Sequence, residues 1–223
     1  MAKASPNGYK YDEAYDSIRD MIIHHKVLPR QLLSENELST RLGISRTPVR
    51  SALMKLACEG LVVHVPDKGM FVSELRLTDL LEISEIRLSL ECLAAKLCAS
   101  RISSAELGAL SRCLNEHRAM GDTGKSEAVI DKDNAFHMLI ASGAKNPRLG
   151  TMIRSLLDSS ARIAFIASKD VHRLPLTLEQ HTAILDAIAQ GDGDAAAEAM
   201  RRHILDWVEY TYCVQRENDH LFR

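Results

Sequence analysis

Two sets of residues in this chain have types and spacing that could do chemistry. The first is Ser45-Arg46-Thr47-Pro48-Val49-Arg50, where Arg46 and Arg50 are four apart and share one helical face. Two guanidinium forks on one face suit an anionic partner, such as phosphate oxygens or the acceptor edge of a base. The second set lies in the C-terminal half: Asp133 and His137, also four apart, then His181 and His203, each among apolar neighbours. Three imidazoles and one carboxylate from three helices can converge on a divalent cation, Zn²⁺ first, with Ni²⁺ or Mn²⁺ also suited. The same spacing equally fits histidines packed in an ordinary core, and spacing alone leaves both readings open.

The elements around the arginines have definite ends. Ser45 is a good helix N-cap, whose hydroxyl is expected to accept a free backbone N–H of the first turn, and Pro48 is tolerated inside that turn. Val49, Ala52, Leu53, Leu56 and Ala57 form an apolar stripe opposite the arginines. Upstream, Ser34-Glu35-Asn36-Glu37 is a capping box opening a short helix with Leu38 and Leu42 inward, and Gly43 turns the chain. Two short helices joined by a glycine turn make a helix-turn-helix. After Gly60, Leu61-Val62-Val63-His64-Val65 and Met70-Phe71-Val72 are strand-like on either side of a Pro66-Asp67-Lys68-Gly69 turn, a hairpin wing. A first helix is predicted from Tyr9 to about Lys26, with Tyr11, Tyr15, Ile18 and Ile22 at helical spacing and His24 and His25 as solvated end residues.

The expected organisation is a flexible arm over residues 1–8, a winged helix-turn-helix of three helices plus a β-hairpin over 9–73, a linker over 74–77, and an all-α bundle over 78–223. In the bundle, Leu80, Ile83, Ile86, Leu90 and Leu93 mark a long first helix, and Ser103 to Glu106 cap the next. Helical segments follow at 125–142, 147–168, 176–190 and 193–216. The fold class is therefore mainly α.

Composition narrows the function classes. The chain has 223 residues, 46% of them hydrophobic, enough for one large or two small cores. No apolar run approaches bilayer length and the N-terminus lacks a signal core, so a cytoplasmic protein without membrane contact is expected. Five cysteines without a C-x-x-C pair suggest reduced, mostly buried thiols. A net charge of −2 excludes binding of nucleic acid by bulk charge. The basic character is local: five basic against two acidic residues between Arg30 and Lys55, but 18 against 22 over residues 74–223.

Residues 9 to 72, through Leu33-Ser34-Glu35, Ser45 to Arg50, Glu59-Gly60-Leu61-Val62 and Gly69-Met70-Phe71-Val72, resemble the winged helix-turn-helix of GntR-family bacterial transcription regulators. Two departures are visible. Pro29-Arg30 stands where that family usually has Pro-Gly, which implies a different turn, and Asp67 sits near a wing tip where basic residues are common. The resemblance implies that Arg46, Arg50 and Thr47, with Ser45 at the helix start, enter the major groove, while Ser34, Asn36, Lys55 and the Lys68-Gly69 tip hold phosphates or the minor groove. One winged domain makes few contacts, so a homodimer reading a pseudo-palindromic operator in double-stranded DNA is expected.

Residues 78 to 216 resemble the FCD ligand-binding domain of the FadR-type branch, whose metal-binding members carry Asp-x-x-x-His and two later histidines. The resemblance thus implies that Asp133, His137, His181 and His203 hold a metal whose open positions receive a small organic acid. It also matches Arg87 to an arginine suited to clamp the effector's carboxylate, against the alternative of a solvated pair with Glu91; Asn134 and Arg162 are further candidates for the cavity. His117, His172 and His220 have no such match and are expected at the surface. The reading is a non-enzymatic, effector-responsive transcription regulator; the competing one is a metal-dependent hydrolase or lyase built on the same Asp/His cluster.

Overall fold

The computed structural model describes residues 6–120, 126–167 and 174–217. It divides into two compact units between Leu75 and Arg76, each with its own apolar core.

The N-terminal unit contains α1 (Pro6–Ile23), α2 (Glu35–Leu42), α3 (Arg46–Cys58), β1 (Val62–Val65) and β2 (Gly69–Val72). Ala14, Ile18 and Ile22 of α1 share a core with Leu38 of α2 and Val49, Ala52, Leu53 and Leu56 of α3. Each large aliphatic side chain fully buried there contributes roughly 1.5–3 kcal/mol. Helix α1 already begins at Pro6, so residues 6–8 of the predicted arm are helical, as suits a proline in a first turn; residues 1–5 lie outside the described residues. The helix ends at Ile23 rather than Lys26, and His25 takes a left-handed conformation (φ 51°) just beyond it. His24 is not a solvated end residue: it is buried, with Nδ1 2.8 Å from the Asp20 carboxylate one turn back.

Ser34 caps α2 as expected, its hydroxyl accepting from the Glu37 N–H. Ser45 occupies the N-cap of α3 with extended backbone but makes no side-chain cap bond. Pro48 explains the difference: as the third helical residue it removes one of the two N–H groups that an N-cap hydroxyl accepts from. The wing pairs antiparallel from Val62↔Val72 to Val65↔Gly69. Its turn needs positive φ at Asp67 (60°) and at Gly69 (109°), and glycine adopts the second without cost. Residues 31–33 add a third short edge, through Leu33 N–H to the Met70 carbonyl and Val72 N–H to the Gln31 carbonyl. Arg30, at the position of the Pro-Gly glycine, stands in the left-handed region that glycine favours (φ 65°); its N–H bonds the Val72 carbonyl and its guanidinium pairs with Glu74.

The C-terminal unit contains α4 (Leu77–Arg101), α5 (Ser104–Met120), α6 (Ser126–Gly143), α7 (Pro147–Ala167), α8 (Leu174–Ala189) and α9 (Gly193–Glu217). Helix α4 packs against α6, α7, α8 and α9. It begins inside the predicted linker, at Leu77, where the Asp79 carboxylate accepts the Arg76 N–H. Gly143 permits a close approach of α6 to α4, since a Cβ there would lie 2.5 Å from Cys98 Sγ. Its core gathers Leu110, Phe136, Ile140, Ile153, Leu157, Ile184 and Ile204.

The buried row of α4 differs from the predicted one. Of the apolar series only Leu80 is fully buried; Ile86 and Leu93 are exposed. The row turned inward is Ser84, Arg87, Glu91, Ala94, Ala95 and Cys98. A helix that buries charged groups must give them partners, and those partners turn out to be functional candidates. Cys98 and Cys113 are buried, whereas Cys58 and Cys213 are exposed; all five thiols are free. Among the described residues no helix is long and apolar enough to cross a membrane.

Candidate metal centre and recognition helix

Asp133 and His137 on α6, His181 on α8 and His203 on α9 come together, with one donor atom from each within 4.8 Å of the others. Asp133 is partly exposed and the three histidines are buried. His137 Nε2 lies 3.1 Å from His203 Nε2, and His181 Nε2 lies 3.3 Å from Asp133 Oδ1. Neither ring nitrogen of His181 has a hydrogen-bond partner, and its ring stacks on Phe136 at 4.1 Å. Local sequence accounts for the placement: Asp133 and His137 are one turn apart on a face that also buries Phe136 and Ile140.

The outer nitrogens fix the tautomers. His137 Nδ1 is 2.5 Å from Glu91 Oε2, and His203 Nδ1 is 3.0 Å from Gln180 Oε1. Gln180 is oriented by its own Nε2 donating to Asp206. Facing two acceptors, both Nδ1 atoms must donate, which in the neutral rings leaves a lone pair on each Nε2. The two Nε2 atoms face each other at 3.1 Å, an approach that a proton shared between them or a cation bound by both would satisfy. Nitrogen donors bound to Zn²⁺ at about 2.0–2.1 Å would themselves be about 3.3 Å apart, so the donor set fits a divalent ion of that class.

Burial pushes the pKa of His203 down to about 3, with His137 adding to it, and lowers that of His181 well below its ordinary value. Both are therefore neutral at physiological pH, the form in which imidazole ligates. Burial works to raise the pKa of Glu91, but Arg87 and His137 outweigh it and hold it at about 2. Glu91 is thus a buried carboxylate between two donors, with Arg87 Nε 2.6 Å from its second oxygen. Arg87 also lies over the Trp207 ring at 5.1 Å.

Other predicted residues are placed less centrally. Arg87 is one step out from the cluster, and its pair with Glu91 is buried rather than solvated. Asn134 is half-buried on α6, about 100° around the helix from Asp133. Arg162 is fully buried on α7, where burial pulls its pKa down to about 10 against the opposing pull of Asp79. His117 is not a surface residue: on α5 it is buried, its ring centroid 6.0 Å from that of His181, and both its nitrogens lack partners. The apolar spacing of α5, with Leu110, Cys113 and Leu114 on the same side, was the signal that could have found it. His172 and His220 lie outside the described residues. Glu91 and Gln180 were missed because their roles depend on contacts across helices.

In the N-terminal unit Arg46 and Arg50 stand on the exposed side of α3, their side chains 60% and 62% accessible. Glu35, in the first turn of α2, receives Arg50 through two bonds of 2.8 and 3.0 Å and lies 3.8 Å from Arg46. The Arg50 hydrogen bonds, ahead of the cost of burial, lower the pKa of Glu35. Thr47 is exposed beside them. Lys55 lies about 140° around α3 from Arg50 and pairs with Glu59, which also accepts from the Tyr15 hydroxyl. Asn36 and Lys68 are exposed, while Ser34 is occupied as a cap and Gly69 is partly buried.

Known proteins share both units. The family model described as bacterial regulatory proteins, gntR family, matches residues 10–72, and that of the FCD domain matches residues 82–206. The chain is 30% identical over 210 residues to the HTH-type transcriptional repressor RspR of Escherichia coli, covering 94% of this chain and 92% of that protein. It is 30% identical over 184 residues to the Nta operon transcriptional regulator of Aminobacter aminovorans, covering 82% and 86%. The solved structure of E. coli McbR/YncC has the same fold, with a TM-score of 0.83 at 21% identity over 92% of this chain and 97% of that one. The chain belongs to the gntR family of DNA-binding bacterial transcription regulators and carries the FCD effector-binding domain.

Proposed function

We propose that this protein is a homodimeric repressor-type regulator whose grip on a pseudo-palindromic operator is modulated by a small organic acid, bound at a divalent metal held by Asp133, His137, His181 and His203. The observation that carries the metal and effector part is the convergence of one carboxylate and three buried imidazoles, with one donor atom of each within 4.8 Å of the others. A divalent cation there would supply a Lewis-acidic centre with positions open to a carboxylate or hydroxyl oxygen. The chain's own polar groups would surround that oxygen: the two unpartnered nitrogens of His117 near the cluster, with Arg87, Asn134 and Arg162 as further contacts. Glu91, the buried carboxylate beside the cluster, is engaged by Arg87 and His137, which makes it ill-suited as the general base a hydrolase or lyase would need.

In the N-terminal unit Arg46, Thr47 and Arg50 would address base edges from the start of α3, where Ser45 also lies. Ser34, Asn36, Lys55, Lys68 and Gly69 would contact phosphates or the minor groove. A two-fold operator calls for a second copy, and the exposed Ile86 and Leu93 on α4 offer apolar surface to one.

Gel-shift titration tests the DNA half. Arg46→Ala and Arg50→Ala should each weaken specific binding by about 10- to 100-fold while non-specific binding falls far less; unchanged specific binding in both would refute the assignment. Elemental analysis of protein purified without chelator tests the other half. Stoichiometric metal in the wild type, lost in His181→Ala, is expected, and a metal-free wild type that takes up none on dialysis would return the histidines to ordinary core residues.

A further inference from the structure

The three candidate ligand histidines are not supported alike from outside the cluster. His203 Nδ1 faces the neutral amide oxygen of Gln180 at 3.0 Å, His137 Nδ1 faces the carboxylate of Glu91 at 2.5 Å, and His181 Nδ1 has no partner. Glu91 is itself fixed, because Arg87 Nε donates to its other oxygen at 2.6 Å and the Arg87 guanidinium rests over Trp207. Trp207 lies one turn along α9 from His203. Two helices that carry candidate ligands, α6 and α9, are thereby tied to α4, which carries none. Arg87 and Glu91 are both almost fully buried, so each needs the other, and solvent does not compete for the carboxylate.

We propose that Glu91 is the positioning residue of the metal centre: it fixes His137 in the tautomer that leaves Nε2 free to ligate and strengthens that nitrogen as a donor, while Arg87 acts through Glu91 by holding it in place. This inference rests on the metal reading of the Asp133, His137, His181 and His203 cluster. Any acceptor behind a ligating imidazole orients it and raises its basicity, and a buried carboxylate does so more strongly than a neutral amide oxygen such as that of Gln180. The asymmetry therefore makes His137 the strongest nitrogen donor of the three. It also makes the retention of metal depend on α4, through two residues that touch no metal.

Co²⁺ is the probe, titrated into the chelator-treated full chain against a chromophoric competitor. Glu91→Gln keeps the shape and removes the charge; it should weaken Co²⁺ binding by about 10- to 100-fold. In the metal-free state, ¹⁵N spectra of the histidine rings should show His137 as the Nδ1–H tautomer in the wild type and as a mixture in Glu91→Gln, a change that a merely structural role would not produce. If that variant folds poorly, Arg87→Met combined with Glu91→Leu removes the whole buried pair in favour of apolar side chains of similar size; it should keep the far-UV circular dichroism of the wild type and show the same loss of Co²⁺ affinity. Wild-type Co²⁺ affinity in either folded variant, or an unchanged His137 tautomer in Glu91→Gln, overturns the proposal. A wild-type chain that binds no Co²⁺ at all would instead overturn the metal reading itself, and this inference with it.

Discussion

The two units place their charged groups in opposite environments. In the N-terminal unit Arg46, Arg50 and Glu35 meet at the surface, where water already solvates each of them. In the C-terminal unit Arg87, Glu91 and three histidines are buried together, so every proton and partner has to be in place when the chain folds. An exposed ion pair is weak and is readily exchanged for another anion; a buried array is preorganised, and removing one member strands the rest. One surface is built to change partners and the other to keep them. That contrast suits a head that must find and leave DNA, and a sensor that must hold its cluster in shape.

The largest expected break in the comparison comes from acid. His203 has its pKa pushed from 6.5 to about 3, and His117 and His181 are also lowered by burial. A histidine that stays neutral when folded but protonates when unfolded makes the unfolded state bind more protons. Stability therefore falls as pH drops below about 6.5 and stops falling only below the folded-state pKa. Between pH 7 and pH 5 one such histidine removes about 2 kcal/mol from the C-terminal unit, and the other two act in the same direction. The shifted carboxylates of the N-terminal unit, Asp20 and Glu35, have ordinary values near 4, so they contribute almost nothing in this window. Trp207, the one tryptophan in the chain, reports on the C-terminal unit. Urea unfolding of chelator-treated protein should show its midpoint falling sharply at pH 5, and a midpoint independent of pH would contradict the buried neutral array.

Next in size is a cavity in the N-terminal core. Leu53 is completely buried among the residues of α1, α2 and α3, and Leu53→Ala should cost that unit about 2–5 kcal/mol. Because the two cores are separate, far-UV circular dichroism should then lose part of its amplitude early while the Trp207 transition keeps its midpoint. If both signals move together, the units do not unfold independently and the comparison needs a coupled description.

What the sequence disclosed follows the same division. Helix α3 was legible because its N-cap residue, its arginines and its apolar stripe lie within thirteen consecutive residues, Ser45 to Ala57. The hairpin likewise announced itself by β-branched runs about a turn. The four candidate ligands were marked as a pattern, yet only the fold shows Nε2 atoms converging from three helices. Periodicity alone misled for α4, where the apolar row is partly exposed and the polar row of Ser84, Arg87 and Glu91 is inside. A hydrophobic stripe identifies the inward face only when burial of apolar area is all the helix has to do. His117 is the converse case: it continues the buried row of Leu110, Cys113 and Leu114, so the spacing of α5 marks it as inward, but only the fold sets His181 beside it. Ser45 failed as a side-chain cap because a proline three residues on has no N–H to give.

The smallest effect is the most direct test of exchangeable charge. Glu35 holds Arg50 through two hydrogen bonds and stands within reach of Arg46. On DNA the same guanidinium groups would have to turn from Glu35 to a base or phosphate. If the pair is a resting contact, Glu35→Gln should release Arg50 and remove a negative charge from the approaching face, tightening operator binding by about two- to fivefold, the range set by a weak exposed pair. The gain should shrink with added salt, because it is electrostatic and near the surface. If Glu35 instead aims Arg50 at its base, the same substitution should weaken specific binding and leave non-specific binding untouched. Anisotropy titrations of specific and scrambled duplexes at two salt concentrations separate the outcomes. Weakened binding would make the Arg50–Glu35 contact part of a preorganised site, and the head would then resemble the buried cluster more than it differs from it.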